Sequence, residues 1–227
     1  MSELELLFEL PGGAHALFTT RDAGNLSSVS GEGAADGGAA RERLRAGLDL
    51  ERLARGHQVH GAVVERIEGH PADGAEGRHA DGQATALGGV GALVLSADCL
   101  PVALGGAGAV AMLHAGWRGL AGGVLENGVA ALRELAGGGD DAIVAVIGPG
   151  AGVCCYEVGP EVHAAFGGAH RDGRRIDLRG IARERLLEAR VAEVRDARHC
   201  TICDERFFSH RREGARAGRQ GGVAWRS

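Results

Sequence analysis

Residues 91–119 read GALVLSADCLPVALGGAGAVAMLHAGWRG. Three apolar runs stand out in this stretch, 91–96, 101–104 and 109–114, separated by glycine or a short polar turn. Short continuous apolar runs bounded by turn signals are the pattern of strands buried on both faces. Asp98, Cys99 and His114 stand at the ends of these runs. Strand ends give way to loops, and loops on a rigid scaffold are where site residues collect.

Outward from this centre, residues 118–136 place Leu120, Val124, Leu125, Val129, Leu132 and Leu135 at helical spacing. Glycines within that stretch lower its helix propensity, and Gly137-Gly138-Gly139 ends it. Upstream, residues 4–10 and 14–20 read as strands around a Pro11-Gly12-Gly13 turn, 21–38 as loop, and 39–48 as a helix. Residues 57–67 read as a strand interrupted at Gly61, and 68–82 as polar loop. Downstream, 143–147 is an apolar strand ending at Gly148-Pro149-Gly150, and a short helix is expected around 159–166. A longer helix is expected from 178 to about 194 with Asp177 as its N-cap, followed by strands and Arg-rich loops. No repeat or linker divides the chain, so one mixed α/β (α+β) domain over residues 1–227 is expected.

The chain is 44% hydrophobic, enough for a real core, and its net charge of −5 carries no basic stripe. Nucleic acid is therefore not an expected partner. The start, Met1 to Leu7, is acidic and does not read as a signal peptide, and no apolar run is long enough for a membrane span. Five cysteines, an odd number, argue against a disulfide framework and for free thiols or metal chemistry in the cytoplasm. All 25 basic residues are arginine. Lysine chemistry is thereby excluded, and anions must be met by guanidinium forks or backbone amides.

Three constellations offer chemistry. In His57-Gln58-Val59-His60-Gly61 the two histidines are three apart, so on a strand they face opposite ways and do not share a metal. A lone histidine is more often a surface or hydrogen-bonded residue than a ligand. Ala97-Asp98-Cys99-Leu100-Pro101 ends one apolar strand, where a buried cysteine acting as a small hydrophobe is the ordinary alternative. His114-Ala115-Gly116-Trp117-Arg118-Gly119 ends another and leads into a helix whose N-terminus, with Arg118 beside it, could meet an anion. Two imidazoles and one thiolate from His60, Cys99 and His114 suit zinc with an open fourth position, and copper also accepts that donor set. Cys154-Cys155-Tyr156 follows the 148–150 turn and could line the same cleft. Cys200-Thr201-Ile202-Cys203 has knuckle or redox spacing but lacks an adjacent second pair. Phe207-Phe208-Ser209-His210-Arg211-Arg212 offers a substrate wall or an edge strand with a charged end.

These stretches, with Ala80-Asp81-Gly82, Cys154-Cys155-Tyr156-Glu157-Val158-Gly159 and Gly218-Arg219-Gln220, resemble in order the YfiH family, also called the polyphenol oxidase or laccase-domain family. The resemblance implies a single domain with β-sheets packed between helices, similar to the catalytic domain of a cytotoxic necrotizing toxin. It implies a metal, usually zinc, on His60, Cys99 and His114. It implies phosphorolysis of adenosine, inosine, guanosine and methylthioadenosine, with deamination of adenosine, so that purine nucleosides and phosphate are the partners. The chain keeps the family's Thr20-Arg21 and Asn25-Leu26, but the following element reads Ser28-Val29-Ser30-Gly31-Glu32 and lacks the family's histidine.

On this reading Arg21, Arg118 and Arg212 are the phosphate candidates, Asn25 and Cys154 further substrate contacts, and Asp98 would orient a histidine or carry a proton. A copper polyphenol oxidase is the alternative enzyme, but the ten histidines are scattered, with no His-x-His pair for several coppers. A metal-stabilised binding module, with Cys154 or Cys155 closing a four-ligand site, is the non-enzymatic alternative.

Overall fold

The computed structural model describes residues 6–69, 78–106, 108–137 and 142–227; the start of the chain, most of the 68–82 loop and the second and third glycines of 137–139 lie outside them. The strands are β1 (Leu7–Leu10), β2 (Ala14–Phe18), β3 (Arg52–Ala54), β4 (Val64–Ile67), β5 (Gly82–Thr85), β6 (Val90–Ser96), β7 (Leu100–Gly106), β8 (Ala109–Ala115), β9 (Val144–Ile147), β10 (Arg171–Asp172), β11 (Arg175–Ile176), β12 (Glu193–Asp196) and β13 (Gln220–Arg226). The helices are α1 (Gly37–Gly47), α2 (Trp117–Ala121), α3 (Val124–Leu135), α4 (Pro160–Ala165), α5 (Leu178–Glu188) and α6 (His210–Glu213).

Two mixed sheets stack face to face, one in the order β1-β2-β13-β6-β3 and the other β12-β9-β7-β8-β5-β4. Strand alternation explains why the central runs are apolar throughout. Ala92 and Val94 of β6, Val110 and Met112 of β8, Val144 and Val146 of β9 and Ala224 of β13 meet in the core between the sheets. Leu93, Leu95, Val223 and Trp225 face the other way, onto Ala40 beside Leu44 of α1. Val102, Leu104, Ala111, Leu113, Ala145 and Ile147 pack against α3 and α5 through Leu125, Val129, Leu132, Ile181 and Leu186. Both faces of each sheet are therefore covered, and period-2 patterning disappears where both neighbours are apolar. The result is a helix–sheet–sheet–helix sandwich, which is the expected fold class.

Several boundaries differ from the sequence reading. The helix expected over 118–136 is two helices, because Gly123 takes a left-handed φ of 89° between α2 and α3. The expected strand at 57–67 forms only as β4; residues 57–61 are loop. The expected helix from 178 to about 194 ends at Glu188, Arg190 turns with φ 62°, and Glu193–Asp196 pairs in parallel with β9. Asp177 does cap α5, its carboxylate accepting from the Arg179 and Gly180 amides.

The glycine content of α3 serves packing. A Cβ on Gly128 would stand 2.4 Å from Leu113 Cδ1, and one on Gly82 would stand 2.6 Å from Leu113 Cδ2. The Leu113 side chain fills the space that these two glycines leave between β5 and α3. In a free helix Gly128→Ala would stabilise by about 1 kcal/mol. Here the added methyl collides with a fully buried side chain, so the substitution is expected to destabilise by about 1–3 kcal/mol. Urea unfolding measures this, and a gain in stability would contradict the packing described.

Candidate metal centre

The antiparallel register of β7 and β8 sets Leu100 opposite Ala115 and Pro101 opposite His114. One step beyond the ladder, Cys99 lies beside Gly116: a Cβ there would fall 2.9 Å from Cys99 Sγ and 3.1 Å from His60 Cδ2. Any larger residue at 116 would occupy the space the site needs. His60 arrives from the loop before β4, and its ring meets the His114 ring edge to face with centroids 4.9 Å apart. The ligand atoms of His60, Cys99 and His114 all lie within 4.8 Å of one another. His114 is buried, Cys99 half-buried and His60 exposed, so the cluster opens to solvent on the His60 side.

Asp81 builds this arrangement. Its fully buried carboxylate accepts from Val59 N at 3.1 Å, His60 N at 2.9 Å and Gly61 N at 2.7 Å. Three successive amides wrapped on one anion require a left-handed residue among them, and His60 has φ 60°. Asp81 Oδ1 also lies 2.8 Å from His114 Nδ1, which fixes that ring and leaves Nε2 as its free nitrogen. Gln58 anchors the same loop, its amide bonding both Leu95 N and Leu95 O. His57 instead lies against His79, with rings 5.3 Å apart, and takes no part.

The electrostatics follow from these contacts. Burial would push the Asp81 carboxyl up, but the His114 ring and the Gly61 and Val59 amides hold it below the usual carboxylate range. Burial would also raise Cys99; the His114 charge and hydrogen bonds from both histidines outweigh it and set its pKa at about 6. For His114 burial works downward, while the Cys99 thiolate and Asp81 carry its pKa up to about 9. Each member of the pair favours the charged form of the other, and a cation held there would displace the proton on the free His114 nitrogen. Two imidazoles and one thiolate with an oriented histidine fit zinc, and the donor set also fits copper.

Around the cluster the expected substrate residues divide. Asp98 does not touch a histidine: its carboxylate accepts from Thr201 Oγ1 at 2.7 Å and from Arg211 N at 2.8 Å. The orienting role expected of Asp98 falls to Asp81, which the sequence reading quoted without a role. Arg21 and Arg212 both bind Glu213 Oε1, each at 2.6 Å, and both donate to Phe207 O. Two guanidiniums share one carboxylate there, so the trio keeps a net positive charge, and both forks are partly committed to structural partners. Asn25 is saturated, donating to Ser30 O and Glu32 O and accepting from Ser27 N and Arg219 N. Arg118 is exposed and lies over the Trp117 ring at 4.4 Å, and α2 is only five residues long. Cys154 belongs to a separate cluster with Cys155, Cys200 and Cys203, so neither Cys154 nor Cys155 closes the His60 site.

One cation passed over in the sequence, Arg219, stands near Cys99, and a second, Arg211, lies over Tyr156. Burial pushes the Arg219 guanidinium down, and the neighbouring Cys99 and Asp98 pull it back up. Only its Nη1 is engaged among the described residues, on Ala217 O and Gly218 O. Arg211 lies 4.8 Å from the centroid of Tyr156 and donates to Glu157 O. Burial and nearby Cys99 raise Tyr156, with Arg211 opposing. A cleft of about 500 Å³ lies elsewhere, lined by His163, Arg171 and Arg174, and none of the residues lining it belongs to the His60, Cys99 and His114 cluster.

In metal-free protein, alkylation of Cys99 by iodoacetamide is expected to reach half its maximal rate near pH 6 rather than near 9. Thiolate is the reactive form, so a lowered pKa extends reactivity downward in pH. His114→Ala removes the main opposing charge and is expected to move the profile up. Site-resolved peptide mass spectrometry reads it, and a wild-type midpoint near 9 would contradict the pairing.

Residues 12–227 match a family model described as multi-copper polyphenol oxidoreductase laccase. A Xylella fastidiosa protein named purine nucleoside phosphorylase is 39% identical over 98% of this chain and 91% of its own length. A protein from an unknown prokaryotic organism, named adenosine deaminase RL5, is 35% identical over 78% of this chain and 76% of its own. The crystal structure of a Neisseria meningitidis protein superimposes with a TM-score of 0.83 at 30% identity, covering 98% of this chain and 99% of that one. Family match, relatives and fold agree with the motifs that converge on His60, Cys99 and His114: the chain belongs to the YfiH family.

Proposed function

We propose that the chain is a zinc-dependent purine nucleoside enzyme that cleaves adenosine, inosine, guanosine and methylthioadenosine with phosphate and also deaminates adenosine. The names of its relatives support a purine nucleoside enzyme. The observation that carries the reading is the convergence of His60, Cys99 and His114 within 4.8 Å, open on one side and flanked by cations. A divalent ion held there with one open coordination position supplies Lewis acidity, polarising an oxygen or lowering the pKa of water.

The protein's own groups do the rest. Arg219, with its Nε and Nη2 uncommitted among the described residues, binds the phosphate as a fork, and Arg211 adds charge beside it. A bound phosphate oxygen attacks the sugar's anomeric carbon as the bond to the purine nitrogen breaks, giving free base and sugar 1-phosphate. Tyr156, stacked on Arg211 and half-buried, walls the nucleoside off from water. Asp98, gripping Arg211 N and Thr201 Oγ1, positions that wall without touching the reaction.

The laccase description of the family model keeps a copper oxidase in view. A multicopper enzyme needs several centres with imidazole ligands. Among the described residues the histidines gather with a cysteine at one cluster only. Metal analysis separates the readings: one ion at the Cys99 site supports the proposal, and several coppers oppose it.

Incubation with adenosine and phosphate is expected to yield adenine and ribose 1-phosphate, together with inosine, and Cys99→Ala is expected to abolish both. Arg219→Ala is expected to raise the KM for phosphate roughly ten- to a hundredfold, as loss of a charge-assisted hydrogen bond of about 1.5–3 kcal/mol implies, and to lower the Tm because Ala217 O and Gly218 O lose their donor. Arg212→Ala is expected to lower the Tm, because Thr201 O and Ile202 O lose their side-chain donor while Phe207 O and Glu213 keep only Arg21. An unchanged phosphate KM in Arg219→Ala would remove that residue from the phosphate site. Absence of any nucleoside product from metal-loaded wild type would end the proposal.

A further inference from the structure

The structure joins two cysteine pairs that lie far apart in sequence. β9 and β12 are parallel neighbours, so the loops that leave them emerge on the same side. One loop carries Cys154 and Cys155, the other Cys200 and Cys203. They are stitched together by Gly150 N donating to His199 O and Thr201 N donating to Gly150 O. The four sulfurs all lie within 4.8 Å of one another, with Cys155 to Cys203 at 2.9 Å and Cys154 to Cys203 at 3.4 Å. Four sulfurs bound at about 2.3 Å to one tetrahedral centre stand about 3.8 Å apart, so the cluster needs little opening to admit an ion.

At Cys200 the backbone donates to sulfur. Cys200 Sγ accepts from Gly152 N at 3.2 Å and also from the amides of Ile202 and Cys203. Amides turned onto the first sulfur of a C-x-x-C turn stabilise negative charge there, as in zinc knuckles. Gly152 permits the close approach: a Cβ at that position would stand 3.1 Å from Cys200 Cβ and 3.2 Å from Cys154 Sγ. Arg175 donates to Cys154 O and brings a positive charge beside the cluster.

We propose that Cys154, Cys155, Cys200 and Cys203 bind a structural zinc ion as four thiolates, closing a second metal site separate from His60, Cys99 and His114. Any thiol protons pass to solvent on binding, and no electron is transferred. Four protein ligands leave no open position, which is the mark of a structural rather than a catalytic zinc. Its role follows from what the two loops hold. Thr201, inside the C-x-x-C turn, supports Asp98 beside Cys99, and Tyr156 directly follows Cys155. The ion ties both loops in place at the edge of the first centre.

The test separates this site from the one on which the proposed function rests. Full-length Cys99→Ala protein, purified under reductant and dialysed against zinc, is expected to retain one zinc per chain. Its zinc absorption edge is expected to show four sulfur neighbours at about 2.3 Å. Cys200→Ser/Cys203→Ser, with Cys99 intact, is expected to lose one zinc, keep the other, and be cut faster by protease in the 150–156 and 198–206 loops. Should either variant fail to fold, the wild-type chain remains decisive, with two zinc ions and more sulfur than nitrogen in the mean coordination shell. A Cys99→Ala protein that holds no zinc, a shell of nitrogen and oxygen, or a mass deficit marking disulfides in anaerobically prepared wild type would each overturn the assignment.

Discussion

The candidate centre at His60, Cys99 and His114 depends on one buried carboxylate. Asp81 has no exposure to solvent, and an unpaired charge in that position would cost several kcal/mol. It is tolerated because four donors converge on it: the amides of residues 59, 60 and 61 and the His114 ring. The same bonds that satisfy the carboxylate curl the His60 loop and fix the His114 ring. Neutralising Asp81 would therefore disturb two of the three candidate ligands without touching either directly.

The sandwich supplies the remaining geometry. Both faces of each sheet are buried, so register cannot slip without turning large apolar side chains toward the wrong neighbour. The register of β7 against β8 places Cys99 beside Gly116 and His114. The parallel pairing of β9 and β12 brings the two cysteine loops to the neighbouring edge. Both candidate metal clusters thus gather at the ends of strands whose interiors pack the core.

Much of this was legible in the chain. The runs at 91–96, 101–104 and 109–114 revealed the central strands because strands covered on both faces need continuous apolar sequence. β12 was not legible: Glu193-Val194-Arg195-Asp196 has no apolar run and continues the charged pattern of α5, so only its pairing with β9 makes it a strand. Cys99 and His114 announced themselves by residue type at the ends of apolar runs, and His60 by the family resemblance of its His57–Gly61 stretch. Asp81 did not, since its importance lies in amides about 20 residues away. The partner of Arg21 and Arg212 was not legible, because a sequence displays a guanidinium and hides what it binds, here one shared Glu213. The Ala80-Asp81-Gly82 and Gly218-Arg219-Gln220 stretches, already part of the family resemblance, were the available signals for the two residues passed over.

The most direct measurement is the zinc affinity proposed for the Cys99 cluster, compared between wild type and Asp81→Asn by competition with a chelator. An amide nitrogen in place of one carboxylate oxygen faces N–H donors and can no longer accept from them. The affinity is expected to fall at least about 10–100-fold, the usual cost of losing a group that orients a metal-bound histidine. Undiminished affinity in a folded Asp81→Asn protein would contradict the claim that this carboxylate holds the site together.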